Sequence, residues 1–269
     1  MRLIQIIFNY LPMFKGKLRI ARLLIRKIKG EITFDTIKST KYTVPNLIEN
    51  VSFELFVNGI YEPEIISYIC SSIPKNGVFI DVGANIGAVS IEVAKARPDV
   101  RVFAFEAAVK VFNYLDINQK QNKLENLQVY NLAIHETSEI ELPFYSPNEL
   151  NGKGSFSPIF TKESQIVKTI RLDEFFFSNN IKPDFIKVDV EGYELLVLKS
   201  FSKTNMQNCT VLFEFVDWAE EAANFNIGDA QKYLLDSGFE LFRFSNNERL
   251  IKKLTSGYEM IISKQSTTI

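Results

Sequence analysis

Val78-Phe-Ile-Asp81-Val-Gly83-Ala-Asn85-Ile-Gly87 runs an apolar strand into an acidic residue and then into a turn with glycines four apart. A stretch of helical periodicity follows to about residue 97, so the segment reads strand, turn, helix. Outward from it, Arg101–Phe105, Leu127–Ala133, Asp184–Val190 and Val211–Val216 are further apolar runs of strand length. Helical patterns at about 109–121, 192–200 and 228–237 separate most of them. Near-continuous apolar strands alternating with helices imply a doubly wound, mostly parallel α/β sheet covered on both faces. Phe239–Phe244 and Tyr258–Ser263 are expected to finish that sheet as an antiparallel hairpin. The rhythm breaks between Glu139 and Leu172, where Glu139–Tyr145 and Gln165–Arg171 suggest an inserted β-hairpin around a Pro147–Pro158 loop. An insertion of that length beside an active face often supplies substrate contacts.

The chain has 269 residues, 46% of them apolar, enough for one large domain with an extension. Residues 1–55 read as a basic helical extension and lead-in, with a strand pair or irregular segment at Thr33–Tyr42. Residues 56–269 read as the domain, entered through a helix at about Pro63–Ser72 and carrying the insertion at about 138–172. The net charge of −1 argues against a nucleic-acid partner. That average hides an asymmetry, because residues 1–30 carry +8 without a single acid and the remainder carries −9. Lys15, Arg19, Arg22, Arg26 and Lys29 recur at helical spacing, with Ala21, Leu24, Ile25 and Ile28 on another face. Such a helix either packs on the body and solvates its charges or makes peripheral contact with a membrane or partner through residues 15–29. Cys70 and Cys209 lack metal or disulfide spacing. With no apolar run long enough to span a bilayer, a cytoplasmic protein is expected.

The loop chemistry separates two ligand classes. A dinucleotide site needs G-x-G-x-x-G so that backbone can approach a pyrophosphate, whereas here Asn85 replaces the second close-approach glycine and Asp81 would repel phosphate. S-adenosylmethionine has no phosphate and carries a sulfonium and an ammonium, which an acidic loop suits. On this Rossmann-like reading Asp81, Gly83, Ala84, Asn85 and Gly87 form the cofactor loop, and the helix that follows offers unpaired N–H groups to an anionic group. Glu106, 19 residues beyond Gly87 and at the end of the next strand, is placed to accept ribose hydroxyls. Asn131 and Ala133, at the end of the third strand, complete the cofactor set.

The chain resembles the FkbM-type methyltransferases over about residues 55–217. The resemblance rests on Gly59-Ile-Tyr61-Glu62-Pro63, the Asp81–Gly87 loop, Phe105-Glu106, Arg171-Leu172-Asp173, Ile186-Lys187-Val-Asp189-Val-Glu191-Gly192-Tyr-Glu194 and Phe213-Glu214. Ala107 departs from the proline usual after the ribose-binding glutamate. The resemblance implies S-adenosylmethionine-dependent O-methylation, commonly of sugar hydroxyls in glycans, glycolipids or secondary metabolites.

A hydroxyl must be oriented and relieved of its proton to attack a methyl group. Lys187, Asp189 and Glu191 alternate out of the fourth strand's carboxyl end and are expected on one face, toward the ligand. A salt bridge would explain Lys187 equally well, and capping of the next helix would explain either acid. Glu214, ending the fifth strand, and His135, after the third, are further candidates for the proton acceptor. Asp189, Glu191 and Glu214 are alternatively oxygen donors for a divalent cation, although no metal is expected. The rival readings are an NAD-linked oxidoreductase or epimerase and a non-catalytic binding module in glycan assembly.

Overall fold

All five residues of Val78–Val82 are buried, as a strand covered on both faces requires. In the computed structural model, residues 2–265 are described apart from 13, 26–29, 148–152, 159–160, 203 and 205–207. In chain order the strands are β1 (Ile32–Asp35), β2 (Lys41–Val44), β3 (Val78–Val82), β4 (Arg101–Phe105), β5 (Leu127–Tyr130), β6 (Ala133–Ile134) and β7 (Glu141–Tyr145). They continue with β8 (Ser164–Ile170), β9 (Phe185–Val188), β10 (Thr210–Val216), β11 (Phe239–Arg243), β12 (Arg249–Leu250) and β13 (Tyr258–Gln265). The helices begin with α1 (Arg2–Tyr10), α2 (Lys17–Ile25), α3 (Asn50–Asn58), α4 (Pro63–Ser72) and α5 (Ser90–Ala96). After these come α6 (Val109–Gln121), α7 (Leu172–Ser178), α8 (Glu194–Lys199), α9 (Asp217–Ala222) and α10 (Asp229–Asp236).

The main sheet has the order β12-β11-β13-β10-β9-β3-β4-β5, and β10, β9, β3, β4 and β5 are mutually parallel. This is the doubly wound α/β sheet expected. Strand alternation divides the core: Phe79 joins the cluster on one face of the sheet, whereas Val78, Ile80 and Val82 join the cluster on the other. The C-terminal hairpin forms, but β13 lies between β10 and β11, antiparallel to both, instead of extending the edge. Five consecutive buried residues, Glu259 to Ser263, suit that interior slot, and the two-residue β12 is left as the edge.

Other departures have local causes. The run Leu127–Ala133 is not one strand. The Asn131 amide donates to the carbonyls of Glu106 and Ala107 at 2.9 and 3.0 Å, and beyond it β6 turns away to pair with β8. The inserted hairpin β7–β8 is antiparallel as expected, and β6 makes it a three-stranded sheet. The fourth strand ends at Val188 instead of Val190. Helix α3 was read only as lead-in, because six of its nine residues are buried and leave little polar periodicity to detect. Its cap is Glu49, whose carboxylate accepts from the N–H groups of Val51 and Ser52.

The N-terminal segment packs on the domain through Phe8, Ala21 and Ile25, which belong to the same core cluster as Phe79. On α2, Arg22 donates to the Ile48 carbonyl and the Asn50 side chain and lies 4.3 Å from the Phe53 ring centre. Leu24 is exposed, contrary to its assignment to the apolar face, while Arg26, Ile28 and Lys29 lie outside the described residues. Both thiols are free, with Cys209 buried and Cys70 half-buried. Among the described residues no helix is long and apolar enough to cross a membrane.

One buried side chain ties the lead-in to the glycine loop. Asn118 on α6 accepts from Thr43 N–H at 2.7 Å and donates to the Ile86 carbonyl at 2.9 Å. Asn118→Leu keeps the volume but strands both buried backbone groups. It is expected to cost about 1–3 kcal/mol, read as a fall of several degrees in Tm, and an unchanged Tm would remove this tie from the fold's supports.

Candidate functional site

The carboxyl ends of β3, β4, β9 and β10 open onto one cleft, walled by the start of α3, the entrance to α4 and the inserted hairpin. Asp81, next to last in β3, is fully buried. Its Oδ2 accepts from the Ser90 hydroxyl, and its Oδ1 has no hydrogen-bond partner. Lys187, on the neighbouring strand β9, places Nζ 3.9 Å from Asp81 Oδ1 and 3.0 Å from Asp189 Oδ2. Burial alone would depress the Lys187 ammonium's pKa, but Asp189, Asp81 and Glu62 outweigh it and raise it above the ordinary value.

The glycine loop is shaped by contact with β9's end. Gly83 has φ +81°, and a Cβ there would lie 1.8 Å from the Asp189 carbonyl oxygen, so no larger residue fits. The loop's own N–H groups are already spent: Gly83 and Ala84 donate to Phe105 O, Gly87 to Ala84 O, Asn85 to Glu106 Oε2 and Ile86 to Asn85 Oδ1. These bonds close the loop on itself and on β4. Gly87 does not line the cleft; a Cβ there would meet Ile91 and Leu115, so its role is packing. Ala84, Asn85 and Ala133 do line it, whereas Asn131 does not and uses its amide on backbone.

Glu106 faces the cleft with both oxygens anchored, Oε2 on Asn85 N–H at 2.9 Å and Oε1 on Ala108 N–H at 2.8 Å. Burial pushes its carboxyl up to about 7 despite those bonds. Glu191 also lines the cleft, but not by strand alternation, since β9 has already ended. It sits in a left-handed turn, φ +52° at Glu191 and +99° at Gly192, that packs Gly192 against the Ala219 carbonyl. Its carboxyl is pushed up to about 7 by burial and then by Asp189. Neither Asp189 nor Glu191 caps α8. Glu194 grips the turn instead, accepting from Val190 and Gly192 N–H at 3.0 and 3.3 Å. A glutamate in a helix's first turn was the available sign.

Glu214 on β10 reaches the cleft with Oε2 unpartnered, its pKa held well above the usual range by burial, then by Asp189, Glu194 and Glu191. Glu62, quoted above within the Gly59–Pro63 motif but given no site role there, adds a third orphan oxygen. Burial pushes it to about 7, and it precedes helix-starting Pro63 with φ +46°. His135 is not in the cleft lining: its Nδ1 accepts from Thr137 N–H, and burial lowers its pKa. Among the described residues Asp189, Glu191 and Glu214 form no metal-holding cluster. The outer wall is aromatic, with Phe156 of the insertion 5.2 Å from both the Phe144 and Tyr193 ring centres and Ser157 bonded to Tyr193 at 2.8 Å. Buried carboxylate oxygens without donors can hold a cationic ligand, and a raised carboxyl beside them can take a proton near neutral pH.

Residues 81–241 match the Methyltransferase FkbM domain. The hexuronic acid methyltransferase AglP of Haloferax volcanii is 33% identical over 144 residues, which are 52% of this chain and 56% of AglP. Methyltransferase 1 of Beauveria bassiana is 24% identical over 173 residues, covering 56% of this chain and 66% of that protein. The chain thus spans less than two thirds of these relatives' own length. The solved precorrin-6y C5,15-methyltransferase of Geobacter metallireducens is similar with a TM-score of 0.46 and 15% identity, over 77% of this chain and 90% of that one.

Glu62, Glu106 and Glu191, near 7 folded against an ordinary 4.5, bind protons more tightly in the folded chain, and Asp81 and Glu214 shift the same way. Their stabilisation is complete below 4.5 and is lost as pH rises through 7, while His135, lowered, opposes it as a single group. The Tm of the ligand-free protein should therefore fall between about pH 5.5 and about pH 8. A flat or rising profile would contradict the burial of these acids.

Proposed function

This chain belongs to the FkbM methyltransferase family, and on that premise we propose that it methylates a hydroxyl of a sugar, glycan or glycolipid using S-adenosylmethionine. The observation that carries the reading is the trio of buried, unpartnered carboxylate oxygens on Glu62, Asp81 and Glu214 in one cleft. They fit a ligand carrying positive charge and would repel a pyrophosphate. The loop's own N–H groups, already bonded within the protein, leave no backbone cradle there for a pyrophosphate.

When bound, the cofactor supplies an electrophilic methyl group on a sulfonium. Asp81 Oδ1, without a hydrogen-bond donor and 3.9 Å from Lys187 Nζ, would receive the ligand's ammonium, and Asn85 and Gly83 line the same side. Each Glu106 oxygen accepts one backbone N–H and retains a lone pair for a ribose hydroxyl. Asp189 is committed to Lys187 and serves to position that ammonium. Glu191 is the proposed base. It stands on the turn beyond the strand, half-buried, with a carboxyl near 7, ionised enough at neutral pH to take a hydroxyl proton. Phe156 and Tyr193 would cover the acceptor and exclude water. A sugar acceptor is supported by the 33% identity to a protein named for hexuronic acid methylation.

S-Adenosylhomocysteine is expected to raise Tm by mass action, with NAD leaving it unchanged. In Glu106→Gln, which keeps the side chain's size, affinity for the product should drop about tenfold by calorimetry, the scale of one charge-assisted bond. Stabilisation by NAD alone would overturn the cofactor reading.

Glu191→Gln is expected to lower kcat by roughly 10²–10⁴ with cofactor affinity nearly intact. Asp189→Asn should instead lower Tm, since the buried Lys187 loses its nearest partner. Near wild-type turnover in Glu191→Gln would move the base to Glu214 or Glu62.

A further inference from the structure

Helix α1 turns Phe8 inward together with its polar residues and leaves most of its other apolar residues outward. Its polar residues point inward: Gln5 donates to the Asp35 carbonyl and Asn9 to the carbonyls of Phe56 and Val57, at 2.9 to 3.0 Å. Its apolar stripe points to solvent, with Leu3, Ile6, Ile7 and Tyr10 exposed by 69, 45, 51 and 77% at helical spacing. A helix that only shields a core shows the reverse. The connector adds exposed Leu11 and Phe14, and α2 adds Ile20, Leu23 and Leu24, themselves at helical spacing. Nine of the seventeen exposed large apolar residues among those described therefore fall within the first 24 residues. Chance scatter of surface apolar groups does not concentrate them so.

Charge selects the occupant. Residues 1–30 hold eight cations and no acid, while the rest of the chain carries −9. A second copy would bring like charge against like. An anionic bilayer offers hydrocarbon to the apolar stripes and negative headgroups to Lys15 and Arg19, and it repels the acidic remainder, so only this face is admitted. Nine-residue helices are too short to span, which leaves them lying in the interface. We propose that α1, α2 and their connector form a monotopic docking surface for anionic lipid. The surface stands independently of the methyl-transfer reading.

The test is co-sedimentation of the full chain with vesicles of phosphatidylcholine and phosphatidylserine, three to one, and with phosphatidylcholine alone. Binding is expected to the mixed vesicles, and to weaken as salt rises. The variant Ile7→Asp/Leu23→Asp should bind about a hundredfold less, and Arg19→Glu about tenfold less with a shallower salt dependence. All three positions are exposed, so Tm should hold; Leu24→Asp alone, 61% exposed, gives a second reading if the double variant unfolds. Equal sedimentation of wild type and Leu24→Asp, or no sedimentation of wild type, overturns the proposal. So does a dimer that these aspartates dissociate without any vesicle binding, which would make the face a contact between copies.

Discussion

Lys187 is an ammonium with 3% of its surface open to solvent, and the cleft is organised around it. A charge so placed costs several kcal/mol in lost hydration unless close partners replace the water. Asp189 does so directly and Asp81 does so across the strand boundary, at 3.0 and 3.9 Å. The pairing is reciprocal. Glu62, Asp81, Glu106, Asp189, Glu191 and Glu214 all border the same space, and Lys187 is the buried cation among them. Its position follows from register, since Lys187 stands opposite Asp81 in the parallel β3–β9 ladder. A one-residue slip there would turn the ammonium into the apolar layer on the other face of the sheet.

Around this cation, backbone and side chains have separate tasks. Main-chain groups in the glycine loop satisfy one another and hold the loop's shape, with Gly83 admitting the Asp189 carbonyl at a distance any Cβ would forbid. Recognition is left to carboxylates, and orphan oxygens on three of them represent hydration given up without a replacement donor. The same cleft is finished by parts outside the parallel sheet: Glu49 and Asn50 at the start of α3, and the aromatic wall of the insertion.

The sheet was legible because its strands are buried on both faces, and continuous apolar runs such as Val78–Val82 and Arg101–Phe105 have few competing explanations. Asp81, Gly83 and Glu106 were legible because the loop punctuates a strand and a helix. Glu191 reached the cleft, but by a left-handed turn that strand alternation does not describe. Asn131, Gly87 and His135 do not line the cleft, and sequence position does not say whether a polar group is spent on backbone or a glycine on packing. Helix α3 was hidden by its own burial. Glu62 stood within the quoted Gly59–Pro63 motif, but its approach to the cleft is an encounter between distant segments that the motif does not spell out.

The interior position of β13 bears on how this chain comes into being. During synthesis β10 and β11 are made well before residues 258–265, so each waits with a bare row of donors and acceptors on the side that β13 will occupy. Unpaired strand borders in a half-made chain recruit other chains. Until residues 258–265 are available, the β10 and β11 halves of the sheet have no strand to join them.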